Sequence, residues 1–278
     1  MMELSVPTAT TDLLASLHGV LDAMGPVAVA VSGGVDSTTL AALALTRKPS
    51  ETRLFHAVSP AVPAAATERL RALAEPAGWP LSIIDAGEFS DPNYLRNPVN
   101  RCFYCKHNLY RTIRQHTTST VLSGANLDDL DDFRPGLRAA KDHAVRHPWI
   151  EARIDKAAIR RLAAEHGLEQ FAGLPASPCL SSRVETGISI ADDVLDAIDS
   201  AEQMLRQELT PATVRCRVRA DAVTVELDGP TLELLDEDER RDLGERVRAL
   251  FAGTDRHGPV GFASYRRGSA VIRGQPGE

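Results

Sequence analysis

The hexapeptide Ser32-Gly33-Gly34-Val35-Asp36-Ser37 lies between a short apolar run, Val27–Val31, and a helix-like stretch, Thr38 to Leu45. A strand that enters a helix through two glycines confines the chain to a β–loop–α unit, and the first amides of that helix have no internal partner. Such amides, with the helix dipole behind them, can cradle a nucleotide's terminal phosphates. Ser32 and Ser37 add hydroxyl donors, and Asp36 can hold a Mg²⁺ that screens the phosphates. The plainer alternative is an ordinary corner in which Asp36 or Ser37 only caps the helix. A phosphate loop of the kinase type needs a Lys beside its final Ser or Thr, and none stands here. Transfer of a γ-phosphoryl group is therefore the weaker expectation.

Apolar runs and helical patterns alternate around this loop. Asp12 to Met24 has helical spacing, Val27–Val31 leads into the loop, and Arg53–Val58 precedes a helix across Ala64–Ala77. Leu81–Asp85 leads to a helix around Phe103–His116, and Thr120–Ser123 closes the series. This order predicts an α/β fold with a Rossmann-like parallel sheet, whose ligand sits beyond the carboxyl ends of the strands. Further helices are expected over Leu137–Val145 and Lys156–His166, with Gly167 as the stop. Leu174 to Gly187, rich in Pro, Ser and Gly, reads as a loop joining two domains. Beyond it the pattern predicts a helix over Asp192–Leu209, an antiparallel pair Val214–Val218 and Ala222–Leu227, and one helix over Leu232–Leu250. The expected organisation is a nucleotide domain over 1–185, a small α+β domain over 186–267 and a disordered tail over 268–278.

Composition narrows the function. The chain has 278 residues, 43% hydrophobic and 25% charged, as in an ordinary globular protein. A net charge of −7 argues against general nucleic-acid binding. No apolar run approaches a membrane span, and Met1 to Thr11 lacks a basic segment followed by an apolar one. Four cysteines in this length do not make a disulfide scaffold, so a reducing, cytoplasmic setting is expected.

Two segments carry further chemistry. Cys102 and Cys105 form a C-x-x-C pair at a helix start beside Arg101 and Lys106, which favours thiolate. Thiolates ligate zinc or iron–sulfur clusters or exchange disulfides, and packed helix cysteines are the bland alternative. No second pair follows at zinc-finger spacing. Cys179 lies in the loop Leu174–Arg183, with Arg183 four positions on; three thiolates suffice for a [4Fe–4S] cluster with one open iron. Cys216 alternates within a strand, which favours core packing. After Thr120–Ser123, Asn126, Asp128 and Arg134 belong to an acidic stretch, Gly124–Gly136, that can bind Mg²⁺ and phosphate or simply cap and turn.

The hexapeptide resembles the PP-loop of the ATP pyrophosphatase superfamily. With Arg101–Lys106, Gly124–Gly136, Asp155–Arg160, Pro175–Arg183 and Val214–Arg217 in this order, the chain resembles the LarE family of ATP-dependent sulfur transferases. That resemblance implies an adenine nucleotide α-hydrolase domain that uses ATP and Mg²⁺. It implies a substrate carboxylate, on a pyridinium dicarboxylate mononucleotide, made into an acyl-adenylate with release of pyrophosphate. Sulfur then displaces AMP to give a thiocarboxylate. In one branch a lone cysteine matching Cys179 gives up its sulfur. In another, cysteines matching Cys102, Cys105 and Cys179 hold a [4Fe–4S] cluster, and the presence of all three favours that branch. Arg215 and Arg217 match arginines near the substrate phosphate; Glu202 and Glu226 match acidic, metal-side residues of the active centre. The segment Val260–Ser269 departs from the family's usual ending. The expected partners are a small carboxylated nucleotide and further copies of the chain, with no membrane. The rival readings are a tRNA-thiolating PP-loop enzyme, disfavoured by the acidic balance, and a non-catalytic nucleotide or redox sensor.

Overall fold

The computed structural model describes residues 10–130, 134–175, 178–256 and 258–272. Its chain divides into two compact units that do not follow chain order. The first comprises Met1–Ser59, Ala64–Glu88 and Cys102–Ser177; the second comprises Pro60–Pro63, Phe89–Arg101 and Pro178–Glu278.

In the first unit, β1 (Val27–Ala30), β2 (Thr52–Val58), β3 (Leu81–Asp85) and β4 (Thr120–Ser123) form a sheet in the order β3-β2-β1-β4. All three pairings are parallel, as the alternation of strands and helices requires. β1 is buried on both faces. Val27 and Val29 join a core with α1 (Thr10–Asp22), α2 (Val35–Arg47), the short helix Pro148–Glu151 and the helix Lys156–Glu165, through Leu17, Leu40, Trp149 and Leu162. Ala28 and Ala30 face a second core built with Phe55, Tyr110 and Ile113, the last two from the helix Arg101–His116. Small alanines on one face and valines on the other are what a central strand covered by helices needs. α3 (Ala64–Ala74) follows β2.

His56 fixes the end of β2 to the end of β1. Its Nδ1 lies 2.8 Å from the Val31 carbonyl and its Nε2 lies 2.9 Å from the Thr67 hydroxyl. Nδ1–H therefore donates to Val31, and Nε2 accepts from Thr67. Burial is the largest influence on the ring and pushes its pKa below the ordinary 6.5. A histidine held neutral contributes stability that is present above about 6.5 and is lost as pH falls below it, with a slope of at most about 1.4 kcal/mol per pH unit. His18, His143 and His147 shift the same way. We expect thermal stability to fall from pH 7 to pH 5, and His56→Gln to remove part of that slope. An unchanged slope in the variant would assign the effect to the other histidines.

The second unit holds β5 (Val214–Val218), β6 (Val223–Leu227) and β7 (Val260–Ser264), in the order β5-β6-β7. β5 and β6 are antiparallel, as expected, and β7 adds a parallel strand. Helix Asp192–Leu209 buries Val194, Leu195, Ile198, Ala201 and Leu205. The stretch expected as one helix over Leu232–Leu250 is two, Gly229–Leu234 and Glu237–Leu250. Asp236 breaks it: its side chain accepts from Glu239 N while Glu239 reaches back to Asp236 N, a capping box that starts a new helix. The helix expected over Leu137–Val145 instead spans Pro135–Asp142, because proline suits its first turn. In the expected tail, Ala270 is buried and its carbonyl accepts from Thr186 N at 2.9 Å; residues 273–278 lie outside the described residues. So do Asp131–Phe133 of the acidic stretch, 176–177 of the cysteine loop and residues 1–9.

Candidate nucleotide site and thiol-bearing segments

Beyond the carboxyl end of β1 the chain turns through Gly33, at φ +78, before entering α2. A Cβ there would sit 2.8 Å from the Ala66 carbonyl oxygen, so only glycine lets the loop close. Gly34 is the N-cap of α2 and makes no side-chain cap, which leaves the first amides of the helix for a ligand. Ser37 Oγ accepts from Ser32 N at 3.0 Å and lies 3.0 Å from Ser32 Oγ, bracing the loop from inside. The register carries the site sideways: Ala30 pairs with both Phe55 and Ser123, so the loop leaves the sheet between the ends of β2 and β4. Gly124, just past β4, is the second obligatory glycine, since its Cβ would lie 2.7 Å from Ser37 N.

Asp36 stands on the first turn of α2. Its carbonyl accepts from Trp149 Nε1 at 3.0 Å, and its Oδ2 is ion-paired with Lys156 Nζ. Its Oδ1 is buried with no hydrogen-bond partner, as are Ser59 Oγ beyond β2 and Glu88 Oε2 beyond β3. Burial is the dominant influence on Asp36 and raises its carboxyl pKa, against the pull of Lys156. An orphaned buried oxygen beside a row of helix-start amides fits a phosphate with its Mg²⁺, so Asp36 is the residue here that would hold the metal.

The other residues expected on the nucleotide side have local work. Asn126 Oδ1 accepts from Asp128 N at 3.0 Å, and Asp128 Oδ2 accepts from Lys156 N at 3.1 Å. Asp129 accepts from Asn126 N at 3.1 Å and pairs with Arg134 at 2.6 Å. These carboxylates act as caps of their own loop and of the helix Lys156–Glu165. Sequence alone gives Lys156 no role; the Asp36 contact assigns it to the site.

Cys102 is exposed and Cys105 half-buried, one turn apart on the helix Arg101–His116 of the first unit. In the second unit, half-buried Cys179 caps the short turn Leu180–Arg183. Its carbonyl accepts from Ser182 N and Arg183 Nη1, each at 3.0 Å. Cys216 is fully buried, and burial pushes its thiol far above the ordinary value, as a core cysteine should behave. Among the described residues no group of three or more His, Cys, Asp or Glu side chains is placed to hold a metal ion.

Arg183 is almost fully buried in the second unit. It donates Nε and Nη2 to Glu202, both at 2.9 Å, and Nη1 to the Pro178 carbonyl at 2.5 Å. Glu202 also accepts from Arg206 at 2.6 Å and Cys216 N at 3.0 Å. Burial opposes both charges, but the fork-to-carboxylate bonds outweigh it, raising the Arg183 pKa and lowering that of Glu202. Arg217 donates to Glu226 at 3.0 Å and to the Ser182 carbonyl at 3.1 Å. Arg215 lies over the Tyr265 ring at 5.9 Å, its pKa lowered by burial and then by Arg183. Glu202, expected on the metal side, thus spends its oxygens on two arginines and a backbone amide, and Glu226, expected there too, on Arg217, Arg219 and the Ser269 hydroxyl.

The pattern of the asparagine synthase family matches residues 10–182. The pyridinium-3,5-bisthiocarboxylic acid mononucleotide synthase of Lactiplantibacillus plantarum is 30% identical over 225 residues, covering 77% of this chain and 78% of that protein. The chain belongs to the LarE family of PP-loop proteins. This LarE-family chain is also similar to an uncharacterised protein of Synechocystis, 34% identical over 226 residues, 80% of this chain and 83% of that one. A further relative, an uncharacterised protein of Methanocaldococcus jannaschii, is 25% identical over 217 residues, 77% of this chain and 82% of its own. Membership supports an ATP-using enzyme. No described helix is long and apolar enough to cross a membrane.

Proposed function

We propose that the chain is an ATP-dependent sulfur transferase that adenylates a carboxylate of a pyridinium dicarboxylate mononucleotide and converts it to a thiocarboxylate. The observation that carries the reading is one chain holding a glycine-built phosphate cradle and three cysteines that are not fully buried, in a family with a bisthiocarboxylate-forming relative. In the first step a carboxylate oxygen attacks the α-phosphorus of ATP, and the bond to pyrophosphate breaks. The amides at the start of α2, with Ser32 and Ser37, hold the departing pyrophosphate and stabilise its growing charge. Asp36 would hold a Mg²⁺ that screens the phosphate charge. In the second step a sulfur nucleophile attacks the acyl carbon, and AMP leaves with the electron pair of the broken C–O bond.

The reading gives Cys102, Cys105 and Cys179 the handling of sulfur; a [4Fe–4S] cluster on these thiolates, when bound, supplies a soft sulfide. Arg183 holds the turn that presents Cys179, and Arg215 and Arg217 take the substrate phosphate. The fit rests on burial: Cys102 is exposed and Cys105 and Cys179 are half-buried, whereas Cys216 is fully buried. Cys179→Ala is expected to abolish thiocarboxylate formation while pyrophosphate release with the carboxylate substrate persists. Cys216→Ala should keep both activities. Thiocarboxylate formation by Cys179→Ala at the wild-type rate would remove that residue from the reaction. Iron and acid-labile sulfide measured after anaerobic reconstitution test the cluster separately: absence of both defeats it.

A further inference from the structure

Arg101, the last residue of the segment Phe89–Arg101 in the second unit, is 8% exposed. Its Nη1 donates to Asn97 Oδ1, and among the described residues it has no acidic partner. Its other guanidinium nitrogens find no acceptor there either, and none of them is sealed from solvent. A cation set this deep against one neutral acceptor is costly, and an arriving anion relieves the cost. Asn97 makes the arrangement rigid. It is fully buried at φ +52, a left-handed conformation that a side chain adopts at some strain. Its Nδ2 donates to the carbonyls of Val184 at 3.3 Å and Glu185 at 2.9 Å, and its own carbonyl accepts from Gly187 N at 2.9 Å. Three residues back, the Tyr94 hydroxyl lies 2.6 Å from Ser181 Oγ, and both residues are buried. These ties fasten Arg101 to the turn that follows Cys179. Arg217 holds the same turn through the Ser182 carbonyl at 3.1 Å, but Glu226 neutralises it. Arg101 therefore stands beside the turn as a preset guanidinium with open donors, the complement of an oxyanion that accepts two bonds side by side.

We propose that Arg101 binds a carboxylate of the substrate and so selects a carboxylated pyridinium mononucleotide. The inference rests on the substrate proposed above, whose phosphate is given to Arg215 and Arg217 and whose two carboxylates are left without a cation. The reacting carboxylate loses its charge on adenylation, so the one held is its unreacted partner. The inference concerns binding alone, so its test needs neither ATP nor turnover.

The test is calorimetric titration of the full chain with two probes, the pyridinium dicarboxylate mononucleotide and the pyridinium mononucleotide lacking both carboxylates. Wild type, Arg101→Gln and Arg101→Lys are compared, each with a melting curve. Arg101→Gln should weaken dicarboxylate binding about tenfold or more, the size of one charge-assisted hydrogen bond. The carboxylate-free probe should bind within about twofold of wild type, on the same scale. Arg101→Lys keeps the charge without the fork, so it should lose less, again for the dicarboxylate only. It carries the comparison if Arg101→Gln unfolds. Unchanged dicarboxylate affinity in the folded variants overturns the inference and leaves the substrate assignment standing. Equal losses for both probes also overturn it, by showing a structural role. Failure of wild type to bind the dicarboxylate removes the proposed substrate, and the inference with it.

Discussion

Glu202→Ala is expected to destabilise the second unit by about 3–5 kcal/mol, the usual cost of stripping one partner from a buried ion pair. Arg183 and Glu202 are each 1% exposed, so water cannot take over the role of the lost carboxylate. The carboxylate accepts two bonds from Arg183, one from Arg206 and one from Cys216 N. Arg206, 43% exposed, adds little of its own. Most of the loss comes from a guanidinium left charged in the interior and a backbone amide left unpaired. The damage should reach the chemistry, because Arg183 also holds the carbonyls of Pro178 and Cys179. The pH dependence has a definite sign. A carboxyl whose folded pKa is lowered stabilises the protein above its ordinary value of about 4.3, and the contribution is lost as pH falls through the folded pKa. Chemical denaturation of wild type and Glu202→Gln should therefore differ most at neutral pH and converge in acid. A difference independent of pH would show that the pair's charge does not matter.

Gly124→Ala should reduce ATP-dependent pyrophosphate release about a hundredfold, because displacements near 1 Å at a reacting centre cost that much. The added methyl would lie 2.7 Å from Ser37 N, 2.8 Å from Ser37 Cα and 3.0 Å from Asp36 C. All three atoms are backbone of the first turn of α2, so no side chain can rotate away. The end of β4 or the phosphate loop must move, with an overpacking cost of about 1–3 kcal/mol. Gly136→Ala is the control, since its Cβ meets the flexible Lys106 Cγ at 3.1 Å and that stem can shift. Calorimetry with ATP and a melting curve separate lost binding from lost fold. Wild-type ATP affinity in Gly124→Ala would contradict the assignment of the cradle.

What the sequence discloses is the part of the molecule made by neighbours. An apolar run, two glycines and a helix pattern within Val27–Leu45 specify the loop of the cradle, whereas its packing against Ala66 and Gly124 is not local. The Asp236–Glu239 capping box is equally local, and it divides the stretch Leu232–Leu250 into two helices. β7 escaped because Val260–Ser264 is short, interrupted by Gly261, and forms only through pairing with β6. Nothing local pairs Asp36 with Lys156 or Arg183 with Glu202. Asp128 and Asp129 illustrate a deeper ambiguity. A carboxylate suited to Mg²⁺ is equally suited to an unpaired helix amide, and here the backbone takes both.

The most direct test supplies anaerobic protein with ATP, Mg²⁺ and a pyridinium dicarboxylate mononucleotide, then follows products by mass spectrometry. The proposed chemistry predicts one AMP and one pyrophosphate for each carboxylate oxygen replaced by sulfur. AMP-free mixtures, or AMP formed without any thiocarboxylate, would contradict it.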